Sequence, residues 1–297
     1  MIHTVKHIIN TATLDMLDIK ALLRHVLSLT RAQLITQADR VLNDIEYNLL
    51  QEFIAKRSLG IPLAYLLQYK EFYSREFVVT KHTLIPRPET ELLVDYVSGL
   101  VQQLSININT LKTPNQRSTP NMSTSKTKTG LRLLDLGTGS GCIAITCKLE
   151  CAVLEVVATD ISPEALAVAT ENAKRLNADV DFRLSNWYTE LDLVTDSDKF
   201  NIIVSNPPYI AVDDVHLANL QYEPQGALTD NADGLSAITS IICGASDYLL
   251  NNGCLIVEHG YNQGQDVSRL FKQYGFENFT TLVYYSGLDR ITTGVLI

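Results

Sequence analysis

Apolar positions along the chain follow two periods, and the switch between them divides it. From Leu14 to about Gly60 they recur at helical spacing, in Leu14, Leu17 and Ala21 and again in Ile45, Leu49, Leu50, Phe53 and Ile54. That spacing predicts helices packed as a small bundle over residues 1–70. Asn43, followed three residues later by Glu46, fits an N-cap with its reciprocal acid, and Gly60 and Pro62 supply a stop. Residues 71–104 change character: strand-like Phe77-Val78-Val79 precedes Pro86 and Pro88, which forbid a continuous helix. They are expected to form a connecting hairpin and loop leading into the next domain. Residues 105–130, SININTLKTPNQRSTPNMSTSKTKTG, nearly lack large apolar side chains. Such a stretch buries too little surface to offset its ordering entropy, so a disordered surface insertion is expected there.

Beyond Gly130, short apolar runs at 131–136, 154–159, 180–185, 200–205 and 254–258 alternate with helical spacers. Over residues 131–297 this alternation predicts an α/β domain, a mainly parallel sheet with helices on both faces. The tail, FTTLVYYSGLDRITTGVLI, predicts two strands joined by a turn around Gly287, hence an antiparallel hairpin at one edge.

Composition narrows the classes. A chain of 297 residues exceeds the usual single domain, which agrees with a full α/β domain plus a small helical companion. No apolar run reaches the roughly 18 residues of a membrane helix, and the start, MIHTVKHIIN, lacks the order of a signal peptide. A cytoplasmic protein without membrane attachment is expected. Five cysteines, at 142, 147, 151, 243 and 254, make an odd set with no Cys-x-x-Cys pair and no histidine at zinc spacing. They are expected to be small buried residues, with no metal role. A net charge of −9 weighs against a dedicated DNA-backbone binder, which needs clustered Lys and Arg, and leaves a basic protein partner open.

Two strings carry chemistry at the ends of predicted strands. The first strand runs into Gly137-Thr138-Gly139-Ser140-Gly141, where glycines permit backbone angles and close ligand approach that a Cβ would block. The nicotinamide fingerprint wants its third glycine at position 142, which is Cys here. Asp160 ends the next strand about twenty residues downstream, where a carboxylate can accept both hydroxyls of a ribose. Together they point to an adenosine-bearing ligand. Asn186-Trp187 follows the third strand on the same edge; Trp187 suits either an adenine ring or the core, and Asn186 either the adenine edge or a turn.

The fourth strand delivers Asn206-Pro207-Pro208-Tyr209. An amide or aromatic amine nitrogen is a poor nucleophile because its lone pair is delocalised. Two acceptors aimed at its N–H bonds, the Asn206 side-chain oxygen and the Pro207 carbonyl, would hold it in line with a methyl donor and help localise that pair. The prolines stiffen the loop and present carbonyls without competing N–H groups. Tyr209 can stack on a flat substrate group. Arg87 and Glu89 suit geometric support of their proline-rich segment better than lining a substrate entrance. Glu258-His259 closes an apolar strand and reads as a structural hydrogen-bonding pair, so neither residue is assigned a catalytic role.

With LIPRPETE (84–91), LDLGTGSG (134–141), EHG (258–260) and IPLAYLLQYKEFYS (61–74), the NPPY string resembles the release-factor glutamine methyltransferases of bacteria and organelles over nearly the whole chain. The resemblance implies a seven-strand, Rossmann-like methyltransferase sheet, S-adenosylmethionine as cofactor, and a helical domain that helps engage the release factor. It implies methylation of the glutamine side-chain amide in a Gly-Gly-Gln loop of that partner. It also implies cofactor contacts at Gly137, Thr138, Gly139, Ser140, Gly141, Asp160, Trp187 and Asn206. Glutamine binding falls to Asn206, Pro207, Pro208 and Tyr209, with Asn206, Pro207 and Tyr209 catalytic. Three features depart from the family pattern: Asn186 replaces an acidic residue, Gln68 a common glycine, and the 105–130 insertion is long. NPPY alone is shared with N6-adenine methyltransferases of nucleic acid, and LIPRPETE and the acidic balance separate the two. An adenosylmethionine-binding adaptor without activity would need none of the four NPPY residues.

Overall fold

Helices build the first seventy residues. In this computed structural model, which describes residues 3–111, 130–192 and 195–297, α1 (Val5–Thr11), α2 (Met16–Leu27), α3 (Arg31–Thr36), α4 (Asp44–Ser58) and α5 (Leu63–Leu67) form a unit spanning Met1–Lys70. The expected cap is present: Asn43 Oδ1 accepts from Glu46 N at 2.9 Å, and Glu46 Oε2 accepts from Asn43 N at 3.0 Å. Val5, Ile8, Ile19, Leu22, Leu23 and Leu50 close the core. Two expectations shift. The seven-residue α1 lies ahead of the first periodic stretch, too short to show a period and started by the Thr4 side chain, which accepts from His7 N. On α4 the buried face is centred on Leu50, so Ile45 and Leu49 face solvent, as does Leu17 on α2.

The second unit, Glu71–Ile297, starts within a hairpin of β1 (Tyr69–Phe72) and β2 (Arg75–Val78), with Tyr73 and Ser74 both left-handed at its turn. The loop expected up to residue 104 ends much earlier. A single turn at Pro88–Thr90 leads into α6 (Glu91–Leu111). Pro88 occupies the first position of that turn, where its missing N–H costs nothing, so it starts the helical segment instead of breaking it. Leu93, Val94, Val97 and Val101 then bury at helical spacing. Because that spacing persists in the sequence through Leu104, Ile108 and Leu111, residues 105–111 are helix and not insertion. The rest of the expected insertion, 112–129, lies outside the described residues.

Next come β3 (Leu131–Leu136), α7 (Cys142–Glu150), β4 (Leu154–Asp160), α8 (Pro163–Leu176), β5 (Asp181–Leu184), β6 (Phe200–Ser205), α9 (Ser236–Tyr248), β7 (Leu249–Glu258), α10 (Gly264–Gln273), β8 (Phe276–Val283) and β9 (Asp289–Leu296). The sheet has seven strands in the order β5-β4-β3-β6-β7-β9-β8. β3 to β7 are parallel, and β9 runs antiparallel to β7 and β8, giving the expected edge hairpin. Alternate side chains serve opposite faces. Leu131, Leu133, Ile202, Val204 and Ile256 pack with α6 and α7, whereas Leu134, Leu136, Ile203, Leu255 and Val257 pack with α9 and α10. The central strands are therefore buried on both sides. The chain fills the sheet in one direction from β3 to β5 and then returns to β6, so a topological switch lies between β3 and β6, where ligands of open α/β sheets bind.

Among the described residues no helix is long and apolar enough to cross a membrane. All five cysteines are free; Cys142, Cys147 and Cys254 are buried, but Cys151 is only partly so and Cys243 is exposed. Cys243 lies on α9 off the stripe of Ile238, Ile241, Ile242 and Ala245 that faces the sheet, which is why it escapes burial.

Candidate active site

A cavity of about 570 Å³ opens at the switch point, lined by the loops after β3, β4, β5 and β6, by residues 82–90 and by the start of α9. After β3, Gly137, Gly139 and Gly141 all take left-handed φ (71°, 56° and 80°), a conformation that favours glycine. They do different things there. A Cβ on Gly137 would lie 3.4 Å from the Trp187 ring, and one on Gly139 would meet nothing within 4 Å. At Gly141 it would collide with Ile145 and Ala169, so this glycine lets α7 and α8 approach; it does not line the cavity. Under the loop, buried Asp135 accepts from Thr138 Oγ1 at 2.6 Å, and burial raises its carboxyl to about 7. Buried Asn172 ties the loop to β2, donating from Nδ2 to the Ser140 and Val78 carbonyls and accepting from Val78 N.

Asp160 faces the glycine loop. Its Oδ2 accepts from Gly139 N at 2.8 Å and its Oδ1 from Ser162 N at 2.9 Å, which leaves lone pairs on both oxygens for a ligand. Burial raises its pKa, and the backbone donors of Ser162, Gly139 and Ile161 oppose that rise. The cap of α8 is Ser162, whose hydroxyl accepts from Ala165 N. Trp187, at φ 53°, has its carbonyl fixed by the Ser185 hydroxyl at 3.0 Å, and its ring both lines the cavity and packs on the core. The Asn186 carbonyl closes a turn with Thr189, the turn reading of that residue, and Asn186 also lines the cavity. Positive-φ glycines, a carboxylate with spare acceptors and an aromatic ring thus converge on a cavity of small-molecule size. The donor set fits an adenosine-bearing cofactor.

Asn206, Pro207 and Pro208 line the same cavity across the switch point. Asn206 Nδ2 donates to Thr90 Oγ1 at 3.1 Å. Among the described residues no donor reaches Asn206 Oδ1 or the Pro207 carbonyl. Tyr209 corrects the expectation of a stacking platform: it does not line the cavity. Its hydroxyl donates to Glu258 Oε1 at 3.2 Å, its ring packs on the core below, and Gln263 Nε2 donates to its carbonyl at 3.1 Å. Burial and the Glu258 charge raise the Tyr209 hydroxyl well above its usual range.

Glu258 and His259 do not form a pair. The His259 ring bridges the Gly260 carbonyl and the Thr292 hydroxyl, and burial lowers its pKa. Glu258 does not line the cavity and meets the Asn206 loop from behind, through Tyr209. Burial raises it to about 7, against the Thr90 hydroxyl, the Arg290 charge and the Tyr209 hydroxyl, all of which favour its ionised form. Arg87 donates to Glu223 Oε1 at 2.5 Å, and Glu223 Oε2 accepts from Ile85 N, so Arg87 braces its segment while also lining the cavity. Sequence reasoning missed Thr90, Glu223, Asn172 and Gln263. Thr90 stands inside the LIPRPETE string and Glu258 inside EHG, but nothing in the sequence says that they meet.

Two domain families match the chain: the PrmC N-terminal domain over residues 3–67 and the methyltransferase small domain over residues 120–222. The release factor glutamine methyltransferase of Bordetella pertussis is 38% identical over 98% of this chain and 99% of its own length. That of Neisseria gonorrhoeae is 39% identical over 95% and 93%. Among solved structures, the N-terminal domain of human METTL16 in complex with SAH overlays at a TM-score of 0.52 with 13% identity, covering 94% of each chain, a likeness of fold alone. By this near full-length identity the chain belongs to the release factor glutamine methyltransferase family and is an S-adenosylmethionine-dependent methyltransferase.

Proposed function

We propose that the protein methylates the side-chain amide nitrogen of the glutamine in the Gly-Gly-Gln loop of peptide chain release factors. One observation carries this reading: two acceptors without donors of their own among the described residues, Asn206 Oδ1 and the Pro207 carbonyl, belong to residues that line the same cavity as the glycine loop and Asp160. A primary amide nitrogen has two N–H bonds to give them. When bound, S-adenosylmethionine supplies an electrophilic methyl group on a sulfonium sulfur. Gly137, Thr138, Gly139 and Ser140 would hold it by close backbone approach, Asp160 by accepting ribose hydroxyls, and Trp187 by its ring. Gly141 acts indirectly, through helix packing. Asn206 and Pro207 would orient the substrate amide so that its nitrogen takes the methyl group as the bond from that carbon to sulfur breaks, the sulfur leaving as a neutral thioether and the displaced N–H proton passing to solvent water. Pro208 stiffens the wall, and Tyr209 anchors the loop from behind.

The helical unit is the natural reader of the release factor's fold outside that loop. A cytoplasmic place, no membrane and no nucleic-acid substrate complete the reading. Purified protein with methyl-labelled cofactor should label intact release factor, should not label a Gly-Gly-Ala variant, and should leave RNA and DNA unlabelled. Label in nucleic acid alone would replace this substrate with an adenine amine.

A further inference from the structure

Among the described residues that line the cavity, Arg87 is the one arginine or lysine. S-adenosylmethionine carries a positive charge of its own on sulfur, so an uncompensated guanidinium in the wall would oppose it. The compensation comes from behind the wall. Glu223 does not line the cavity and its side chain is 3% exposed, yet its Oε1 accepts from Arg87 Nη2 at 2.5 Å. Its Oε2 accepts from Ile85 N at 3.0 Å, so both oxygens are engaged and the carboxylate is fixed against the guanidinium. Two other carboxylates line the cavity, but Asp160 is bonded to the glycine loop and Asp230 to the start of α9. The pair also ties two segments together. Ile85 and Arg87 belong to the stretch 82–90, and Glu223 directly precedes Pro224, Gly226 and Ala227, which line the cavity too. Bracing these segments accounts for the hydrogen bonds. The sign of the ligand gives the charges a second task.

We propose that Glu223 makes the cavity tolerant of a cationic ligand. By pairing with Arg87 it cancels the fixed positive charge in the lining. It thereby sets how the site divides its affinity between S-adenosylmethionine and the product left after transfer, S-adenosylhomocysteine, whose sulfur is neutral. The two ligands differ by one methyl group and one unit of charge, so the ratio of their affinities reads the charge of the wall. A lost brace weakens both ligands alike and leaves that ratio still. At about 10 Å and an effective dielectric constant of about 20 to 40, one unit charge changes the affinity for another by roughly four- to fifteenfold. The inference rests on the cofactor occupying this cavity, as proposed above, and is independent of the methyl acceptor.

Calorimetry with both ligands on the full-length protein at pH 8 tests it. Glu223→Gln keeps the size and drops the charge, and should lower the ratio of S-adenosylmethionine to S-adenosylhomocysteine affinity about fivefold. Arg87→Met drops the opposite charge and leaves the carboxylate, and should raise the ratio about threefold or more. The double variant should return to within about twofold of wild type, because the two charges act on each other. A ratio within about twofold of wild type in either single variant, a shift of the same sign in both, or one that persists in the double variant overturns the proposal. If Glu223→Gln does not fold, Arg87→Met decides by sign, and a ratio at or below wild type overturns the proposal. Asp160→Ala should weaken both ligands. If it weakens neither, the placement of the cofactor in this cavity fails by itself, apart from any shift in the ratio.

Discussion

The glycine loop and the Asn206 loop each stand on a buried carboxylate, Asp135 under one and Glu258 under the other, both raised to about 7 by burial. Asp135 takes its hydrogen bond from Thr138, three residues along the chain. Glu258 takes one from Tyr209, forty-nine residues away, and Asn206 above it leans on Thr90 across 116 residues. Local wiring lets a short string hold a ligand by its backbone, and any chain with that string makes nearly the same loop. Remote wiring fixes one side-chain oxygen, which no local string can do, and makes the reacting geometry depend on the whole fold. On the proposed reading, the glycine loop serves binding and the Asn206 loop catalysis, and substitutions should separate the two in measurement.

The largest expected effect is on the remote side. Asn206→Ala removes one oriented acceptor from the reacting nitrogen, a loss of roughly 3–4 kcal/mol in the barrier, or a hundredfold or more in rate at saturating cofactor. Release-factor affinity should change only a fewfold. Single-turnover methylation measured beside binding checks both, and a near-normal rate would remove Asn206 from the reaction.

This asymmetry also explains what could be read in the sequence. The strand alternation, the edge hairpin around Gly287 and the two strings at strand ends follow from periods and residues close together in the chain. The missed parts are those decided at long range. Pro86 and Pro88 suggested a loop because proline breaks helices, yet Pro88 at a first-turn position begins one, and only the buried stripe from Leu93 to Val101 reveals it. Ile45 and Leu49 share helical spacing with Leu50, but which face packs is set by the other helices. Tyr209 was expected to face the substrate because its neighbours do; a partner forty-nine residues away turns it inward.

The second effect is on stability and turns on buried Glu258. Its carboxyl rises from 4.5 to about 7 on folding, so between those values the folded chain binds more protons than the unfolded one. The stability it contributes is fully present below about 4.5 and is lost as pH rises through about 7. Glu258→Gln should remove this slope, gaining about 3 kcal/mol relative to wild type between pH 4 and 8 in urea titrations. Asp135 keeps its own slope, in the same direction, in both proteins. Parallel curves for mutant and wild type would mean that Glu258 is not buried as described.

On the local side, Asp160→Ala removes a carboxylate from the cavity and should weaken S-adenosylmethionine binding by about 1–3 kcal/mol by calorimetry. Transfer should recover when the cofactor is raised to saturation, the opposite of Asn206→Ala. Failure to recover would show that Asp160 also shapes the acceptor wall.

The smallest effect is expected at Gly139, and it tests whether the glycine loop works through shape alone. Its φ of 56° is left-handed, but a Cβ there meets nothing within 4 Å. Gly139→Ala therefore adds backbone strain without a collision, roughly 1 kcal/mol of stability by thermal or urea unfolding. Gly141→Ala should cost more, because the same strain is joined by close contact with Ala169 on α8 and with the end of the Ile145 side chain, which must shift. The space left open above Gly139 faces the cavity, so its added methyl would occupy ligand volume. Cofactor affinity should fall in Gly139→Ala by more than stability does, and stability should fall in Gly141→Ala by more than affinity does. If both substitutions lowered stability equally and left affinity alone, the glycines would be needed only to make the turn, and the open face of Gly139 would have no ligand to admit.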